Sequence, residues 1–178
     1  MRRRLAVPLL VCALLAACAK PAPPGTVLPT TAWKAAPSPT QEATGCPEGG
    51  LRIVADRGDA AAGYREMSLH LTNCGDTAVT VNGRPEIVVL GEDKSIQEIS
   101  VVPSQHWSQS PHPVALAPGQ STTAVLAWRN TYTASDEPPV SGVYLSVAAT
   151  PGGPRQLVKP PVPLDLGNTG RLEVSVWL

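Results

Sequence analysis

Two histidines lie in one polar loop of the sequence, at residues 103–113. Imidazole nitrogen is a good ligand for copper and zinc, so His106 and His112 could share a metal ion, with His70 or Met67 as a further ligand. Protein metal sites usually include carboxylate or thiolate ligands at set spacings, and the loop contains neither type of ligand. The sequence therefore predicts no bound metal and no other cofactor, with His106 and His112 as weak candidates for metal ligands.

A hydrolytic triad is the second chemistry that the residue types allow. Ser104, His106 and Asp136 supply a hydroxyl, an imidazole and a carboxylate. A serine nucleophile is usually presented on a G-x-S-x-G elbow beside oxyanion-forming backbone donors, and no such motif surrounds Ser104. Asp136 stands beside Glu137 and two prolines, which indicates a solvated loop between strands. We therefore predict that the protein is not an enzyme.

Three aromatic side chains could form a binding surface instead. Tyr144 and Trp177 lie at positions opposite to the aliphatic residues of their segments, and Trp107 lies in the loop that contains the histidines. If the two segments are neighbouring strands, these rings form an exposed patch of the kind that binds sugars or a partner protein. The alternative is that a loop or a second sheet covers this face.

Strands are the elements that must position these residues. Residues 66–72 alternate strictly, which places Met67, Leu69 and Leu71 on one face and polar side chains on the other. The continuous apolar run 87–90 is typical of a central strand. Further strands are predicted at residues 51–55, 78–81, 121–128, 143–149 and 171–178.

Glycine and proline mark the turns between these segments. Asn82 and Gly83 tolerate the positive φ of a tight hairpin turn, and Pro118 and Gly119 occupy the central positions of a type II turn. Two more turns are predicted at 91–94 and 151–154. Short strands, such turns and the lack of an amphipathic helix predict an all-β fold, an antiparallel immunoglobulin-like β-sandwich, with a partly closed β-barrel as the alternative. Residues 46–178 have the length of one such domain.

The first residues have the pattern of an export signal. Three arginines, Arg2 to Arg4, precede an apolar run at residues 5–17 that is too short to cross a bilayer, which needs roughly 20 apolar residues. The run ends in Leu15-Ala16-Ala17-Cys18, which resembles the lipobox of bacterial lipoproteins, although Ala17-Cys18-Ala19 also fits ordinary signal peptidase. We therefore predict a lipoprotein signal peptide at 1–17 and a diacylglycerol anchor on Cys18.

Residues 18–45 are rich in proline, alanine and threonine and have almost no apolar periodicity. Such a segment cannot bury enough surface to offset the entropy of ordering it. We predict a disordered stalk that holds the domain on the extracytoplasmic face of the cell membrane. Removal of the three signal arginines changes 14 basic against 14 acidic residues to 11 against 14, a net charge of −3. With no basic patch, the sequence argues against a nucleic-acid partner.

Six short motifs occur in order along residues 46–178. They are Ala60-Ala61-Ala62-Gly63, Leu71-Thr72-Asn73-Cys74-Gly75, Asn82-Gly83-Arg84-Pro85, Leu116-Ala117-Pro118-Gly119-Gln120-Ser121, Trp128-Arg129-Asn130 and Leu166-Gly167-Asn168-Thr169-Gly170-Arg171-Leu172. Together these motifs resemble a family of exported actinobacterial proteins called domain of unknown function 4232. The resemblance implies a secreted or lipid-anchored envelope protein with a β-rich fold, and no activity or catalytic residue comes with it. The chain departs from the family pattern at Arg84, where many members have an aromatic residue, and at Val79, near which many have a cysteine.

The four cysteines divide by role under this interpretation. Cys12 leaves with the signal peptide and Cys18 takes lipid, so Cys46 and Cys74 remain for the domain. An even pair in an oxidising exterior favours a disulfide, with Cys74 taking the place of the cysteine that family members have a few residues later. The alternative is a pair of free redox thiols, but the chain lacks the Cys-X-X-Cys motif of such sites.

Two classes of function follow from these residues. The first is a membrane-anchored, non-catalytic β-sandwich that binds an envelope protein or glycan. The second is a metal-binding protein or enzyme that uses the loop at 103–113. The first hypothesis accounts for the anchor, the stalk and the missing catalytic pattern, and it is the one that we predict.

Overall fold

The structure is a computed structural model that describes residues 45–133, 136 and 138–178, so the predicted signal peptide, Cys18 and almost all of the stalk lie outside the described residues. The described residues form strands and turns without a helix. The strands are β1 (Leu51–Ala55), β2 (Asp59–Ala61), β3 (Tyr64–Asn73), β4 (Val79–Asn82), β5 (Glu86–Leu90), β6 (Ser100–Pro103), β7 (Pro113–Leu116), β8 (Ser121–Arg129), β9 (Ser141–Gly142), β10 (Tyr144–Ala148), β11 (Arg155–Val158), β12 (Leu164–Asp165) and β13 (Arg171–Val174).

A large sheet in the order β1-β3-β8-β13-β6 forms one layer, with β2 added beside β3. Its centre is the long antiparallel pair β3 and β8, which runs from Tyr64 opposite Arg129 to Thr72 opposite Ser121. The predicted alternation of β3 is confirmed, because its aliphatic residues are buried and the residues between them are half-buried. One pairing differs from the antiparallel prediction, since β6 lies parallel to β13. These two strands are far apart in the chain, so no hairpin forces them to be antiparallel.

A smaller sheet in the order β11-β10-β5 forms the second layer, and β12–β9 and β4–β7 form two short additional pairs. The prediction of a central strand at 87–90 is wrong, because β5 is at the edge of this sheet. Val88 is only half-buried there, while Ile87 and Val89 point into the core. All of these sheets are open, and their inner faces share one apolar core that includes Leu69, Leu126 and Leu145. The architecture is therefore sandwich-like.

Of the two glycine turns predicted at Gly83 and Gly119, the structure confirms the second but forms no hairpin at the first. Gly119 has a φ of 79° and Gln120 N donates to Ala117 O at 2.9 Å, which confirms the turn before β8. Gly83 also has a positive φ, 83°, but no hairpin follows. Strand β4 pairs with β7 and strand β5 pairs with β10, so the chain passes from one sheet to another at Gly83.

The last four residues depart from the predicted alternation. Ser175 N donates to Val125 O and Leu178 N donates to Thr123 O, so three steps along this segment match two steps along β8. One extra residue in a strand is a β-bulge, and it turns the following side chains to the other face. Trp177 therefore enters the core, where it is 1% exposed and its Nε1 donates to Ala149 O at 2.7 Å. The prediction that Trp177 belongs to an exposed surface is wrong.

A disulfide joins Cys46 to Cys74, 28 positions apart in the sequence, as predicted. It ties the start of the domain to the end of β3. Next to it, the backbone amides of Cys74 and Gly75 both donate to Gly50 O, at 2.8 and 3.0 Å. The covalent link and these hydrogen bonds together fix the entry of the chain into β1.

Candidate functional site

The outer face of the large sheet carries a polar row that the alternation of β3 creates. Glu66 on β3 and Glu173 on β13 both lie opposite Ala127, which is in β8 between them. The side chains of directly opposed residues in neighbouring strands lie side by side on one face. Because Ala127 is small and its neighbours are long, the sheet has a depression at this position.

The loop that follows β6 crosses this face and is fixed to both glutamates. Trp107 Nε1 donates to Glu66 Oε1 at 2.8 Å, and Gln105 N donates to Glu173 Oε2 at 3.1 Å. At its base, Trp107 N donates to the buried Ser104 hydroxyl at 3.1 Å. The loop that sequence analysis singled out is therefore a wall of the depression, positioned by carboxylates that sequence analysis did not identify.

Tyr64 forms the opposite wall and is held from three sides. Its hydroxyl donates to Glu66 Oε1 at 2.6 Å, the Arg129 guanidinium lies 5.5 Å from its ring centre, and the His106 ring lies edge-on at 6.4 Å. Burial, followed by the hydrogen bond to Glu66 and the negative charges of Glu66 and Glu173, raises the pKa of Tyr64 well above its ordinary value. Tyr64 is therefore a neutral hydrogen-bond donor with a fixed ring, not a base.

Together these groups enclose a cleft of about 390 Å³. Its floor is apolar and its rim is charged. Arg171 pairs with Glu173 at 3.2 Å, whereas the guanidinium of Arg129 donates no hydrogen bond to a described residue. The cleft is lined by Tyr64, Gln105, His106, Ala127, Trp128, Arg129, Thr169, Arg171 and Glu173.

Behind the cleft, Asp165 on β12 ties the end of β8 in place. Its carboxylate accepts from Trp128 Nε1 at 3.1 Å and from Asn130 Nδ2 at 2.6 Å, and it pairs with Arg65 at 3.3 Å. Burial acts to raise the pKa of Asp165, but the hydrogen bonds from Trp128 and Asn130 and the charge of Arg65 outweigh it and lower the pKa below its usual value. This ionised carboxylate therefore fixes the end of β8, the strand that lies beneath the cleft.

The histidines do not assemble a metal site in the described part of the chain, where no three His, Cys, Asp or Glu side chains form a possible ligand group. His106 lines the cleft, and the exposed His112 lies 3.3 Å from Ser110 O through Nδ1. His70 pairs with Asp56 at 3.6 Å on the outer face of β3. Met67 is buried on the inner face, so it and His70 lie on opposite sides of the sheet.

Neither a triad of Ser104, His106 and Asp136 nor the predicted aromatic patch is formed among the described residues. Within the described residues no hydrogen bond joins Ser104, His106 and Asp136. Tyr144 lies on β10, which pairs with β5 and β11, so it is not adjacent to the segment that contains Trp177. Of the three predicted surface rings, Trp107 is the one that the structure places beside the cleft.

Comparison with known proteins adds the following findings. The family model described as "Domain of unknown function (DUF4232)" matches residues 46–178. No curated protein sequence matches the chain. Among solved structures, the chain is similar to a β-glucosidase from Kluyveromyces marxianus in complex with glucose, with 11% identity, a TM-score of 0.29, and coverage of 71% of this chain and 14% of that one. Similarity at this level indicates nothing about the function of this chain. No helix among the described residues is long and apolar enough to cross a membrane.

Proposed function

The chain belongs to the DUF4232 family, a family without an assigned activity, and we propose from its own residues that it is a lipid-anchored, extracytoplasmic binding protein. Its sandwich domain binds a ligand of the cell envelope, a glycan or a glycan-bearing protein, and catalyses no reaction. The cleft between Tyr64, His106 and Arg129 is the observation that carries the binding part of this proposal.

The N-terminal pattern supports the location. A basic start, a short apolar run and Leu15-Ala16-Ala17-Cys18 are what export and lipid modification at a cysteine require. Two acyl chains on Cys18 would give stable anchoring, since each buried methylene contributes about 0.8 kcal/mol. The 27 residues between this cysteine and the domain, as an extended stalk at ~3.1 Å per residue, would reach roughly 80 Å from the membrane.

The chemistry of the cleft favours a saccharide. Two guanidinium groups, Arg129 and Arg171, are balanced by two carboxylates, Glu66 and Glu173, so the site favours a neutral ligand over a charged one. A sugar ring presents apolar C–H faces to aromatic rings and hydroxyls to planar polar groups, and the cleft offers both types of contact. Its volume lies within the ~300–1,000 Å³ that small-ligand sites usually have.

The carboxylates themselves support binding over catalysis. Glycoside hydrolysis needs one carboxyl group that donates a proton to the leaving oxygen and a second that attacks or activates water. Here Glu66 accepts hydrogen bonds from Tyr64 and Trp107, and Glu173 accepts from Gln105 and Arg171. Both groups are thus used to hold the walls of the cleft.

Arg129→Ala tests the cleft. We expect saccharide affinity to fall at least tenfold, since a hydrogen bond to a charged group contributes about 1.5–3 kcal/mol. The free energy of unfolding should change by less than about 1 kcal/mol, because this exposed side chain contacts the Tyr64 ring and forms no hydrogen bond or ion pair with a described residue. The full chain would be screened on an array of envelope polysaccharide fragments, and each hit measured by calorimetry. Arg155→Ala, on the other sheet, is the control and should bind normally. Absence of any saccharide binding by the wild type, or equal binding by Arg129→Ala, would refute the cleft as a glycan site.

Cys18→Ala tests the anchor. We expect this variant to lose fatty-acid labelling and to move from the membrane fraction to the soluble extracytoplasmic fraction, because no other residue of the lipobox can form the thioether. Fractionation with metabolic labelling measures both effects, and Cys74→Ser, which leaves Cys18 in place, is the control. A Cys18→Ala protein that stays labelled and membrane-bound would show that the predicted anchor is wrong.

A further inference from the structure

The outer face of the small sheet carries an electrostatic feature that the cleft does not explain. Residues 46–178 contain two lysines, Lys94 and Lys159, which are distant in sequence. Their Nζ atoms lie 5.9 and 5.4 Å from the ring centre of one residue, Tyr144. All other basic side chains of the domain apart from its histidines are arginines, so both lysines of the domain meet at one ring.

Neither ammonium group has an anionic partner among the described residues, whose four ion pairs involve other side chains. Two like charges beside one ring repel each other, and a cation–π contact offsets this only in part. The backbone at Lys94 has a φ of 63°, in the left-handed region that non-glycine residues seldom adopt. Both ammonium groups are therefore available to an anion from outside the chain. A lysine offers a compact point charge of the kind that binds phosphate without fixed bidentate geometry.

Apolar side chains extend the same face. Ile96 pairs with Leu90, which lies opposite Tyr144, and Leu157 lies opposite Ser146 on β10, so both share the face of the ring. Ile96 is 73% exposed and Leu157 is 50% exposed, which makes them two of the most exposed large apolar residues in the described chain. We name Lys94, Ile96, Tyr144, Leu157 and Lys159 the lysine face.

We propose that the lysine face docks onto a bilayer of anionic phospholipids, with Lys94 and Lys159 on lipid phosphates and with Ile96, Tyr144 and Leu157 at the headgroup boundary. Tyrosine and lysine are among the residues that anchor proteins at this boundary, and exposed aliphatic groups add apolar burial. The proposal uses the proposed Cys18 anchor only to bring the domain near a membrane, and it is independent of the cleft.

Nearby acidic groups make the expected binding weak and dependent on salt. Glu86 forms an ion pair with Arg155. The carboxylate of Asp93 accepts a hydrogen bond from Ser95 N at 3.0 Å. Glu92 remains exposed in the same turn as Lys94 and opposes an anionic surface. Removal of the Glu92 charge should therefore strengthen docking, which is the opposite of the effect expected for removal of a lysine.

The experiment uses the full chain with Cys18→Ala, so that no acyl chain contributes to vesicle binding. Cosedimentation should show preference for phosphatidylglycerol-rich vesicles over phosphatidylcholine vesicles. Lys94→Ala and Lys159→Ala should each weaken binding roughly fivefold, the effect of removing one basic residue near an anionic surface. Glu92→Gln should strengthen it, and Arg129→Ala, in the cleft, should leave it unchanged.

Three results would overturn the proposal. They are equal binding to both kinds of vesicle, unchanged binding by the double lysine variant, and full competition by soluble glycerol phosphate or inorganic phosphate, which would identify a free anion as the ligand. Lys94→Gly controls for misfolding, because glycine adopts a positive φ without strain. This variant should be at least as stable as the wild type and should bind anionic vesicles more weakly. If vesicles fail to bind but saccharides bind to the same protein, only this inference is lost.

Discussion

Replacement of Trp177 with alanine should lower the free energy of unfolding by about 4 kcal/mol, the largest effect that we expect of any single substitution in the domain. The side chain is 1% exposed and belongs to the core between the two layers. Its removal leaves a cavity in the apolar core to which this large ring belongs. Urea unfolding of the full chain, followed by far-ultraviolet circular dichroism, measures the change.

Two control variants separate the contributions of the ring. Trp177→Phe keeps most of the packing but leaves Ala149 O without the donor that now lies 2.7 Å away, and it should cost about 1–3 kcal/mol. Trp107→Ala removes the same type of side chain from a half-buried position in an exposed loop and should cost less than Trp177→Ala. A Trp177→Ala protein within about 1 kcal/mol of the wild type would contradict the placement of this ring in the core. Should Trp177→Ala not fold at all, the Phe variant still gives the measurement.

The strand cores could be predicted from the sequence because burial on one face imposes a period of two. Met67, Leu69 and Leu71 show this pattern, and the structure buries all three. The same rule failed at Trp177 because a β-bulge adds one residue without changing the sequence pattern before it. The register of a bulge depends on which backbone groups of β8 accept hydrogen bonds, and this is a tertiary property.

The candidate site could be predicted only in part. The loop at 103–113 was identified from its residue types, but the partners that fix it were not. Glu66 and Glu173 are brought together through Ala127, and this depends on the register of three strands that are far apart in the sequence. In the sequence Ala127 is one more small residue of a predicted strand, and only the pairing of three strands shows that its small side chain leaves the space for the cleft.

The two proposed surfaces lie on opposite sides of the sandwich, and this arrangement has a functional consequence. The cleft opens on the outer face of the large sheet, and the lysine face is the outer face of the small sheet. A domain docked through Lys94 and Lys159 would point its cleft away from the bilayer, toward the polysaccharides outside it. Docking and glycan binding would therefore be compatible, and vesicles should not compete with saccharides for the full chain.

Loss of the disulfide should have the second largest effect. Cys74→Ser should lower the free energy of unfolding by about 3.5 kcal/mol, because the link between residues 28 positions apart restricts the unfolded chain and its removal restores that entropy. Urea unfolding of Cys46→Ser, Cys74→Ser and the double variant should give the same loss within error, since either substitution breaks one bond. Wild-type protein in excess reductant should approach the same value.

The hydrogen bonds near the disulfide limit the part of the native structure that its loss disturbs. Gly50 O still accepts from the amides of Cys74 and Gly75 when the bond is cut, so the native pairing of β1 with β3 should persist. Hydrogen exchange should therefore rise mainly at residues 45–50 in the native state, while the core strands keep their protection until global unfolding. Additive losses in the double variant, or a loss below about 1 kcal/mol, would show that the two cysteines act separately and that no such crosslink stabilises the fold.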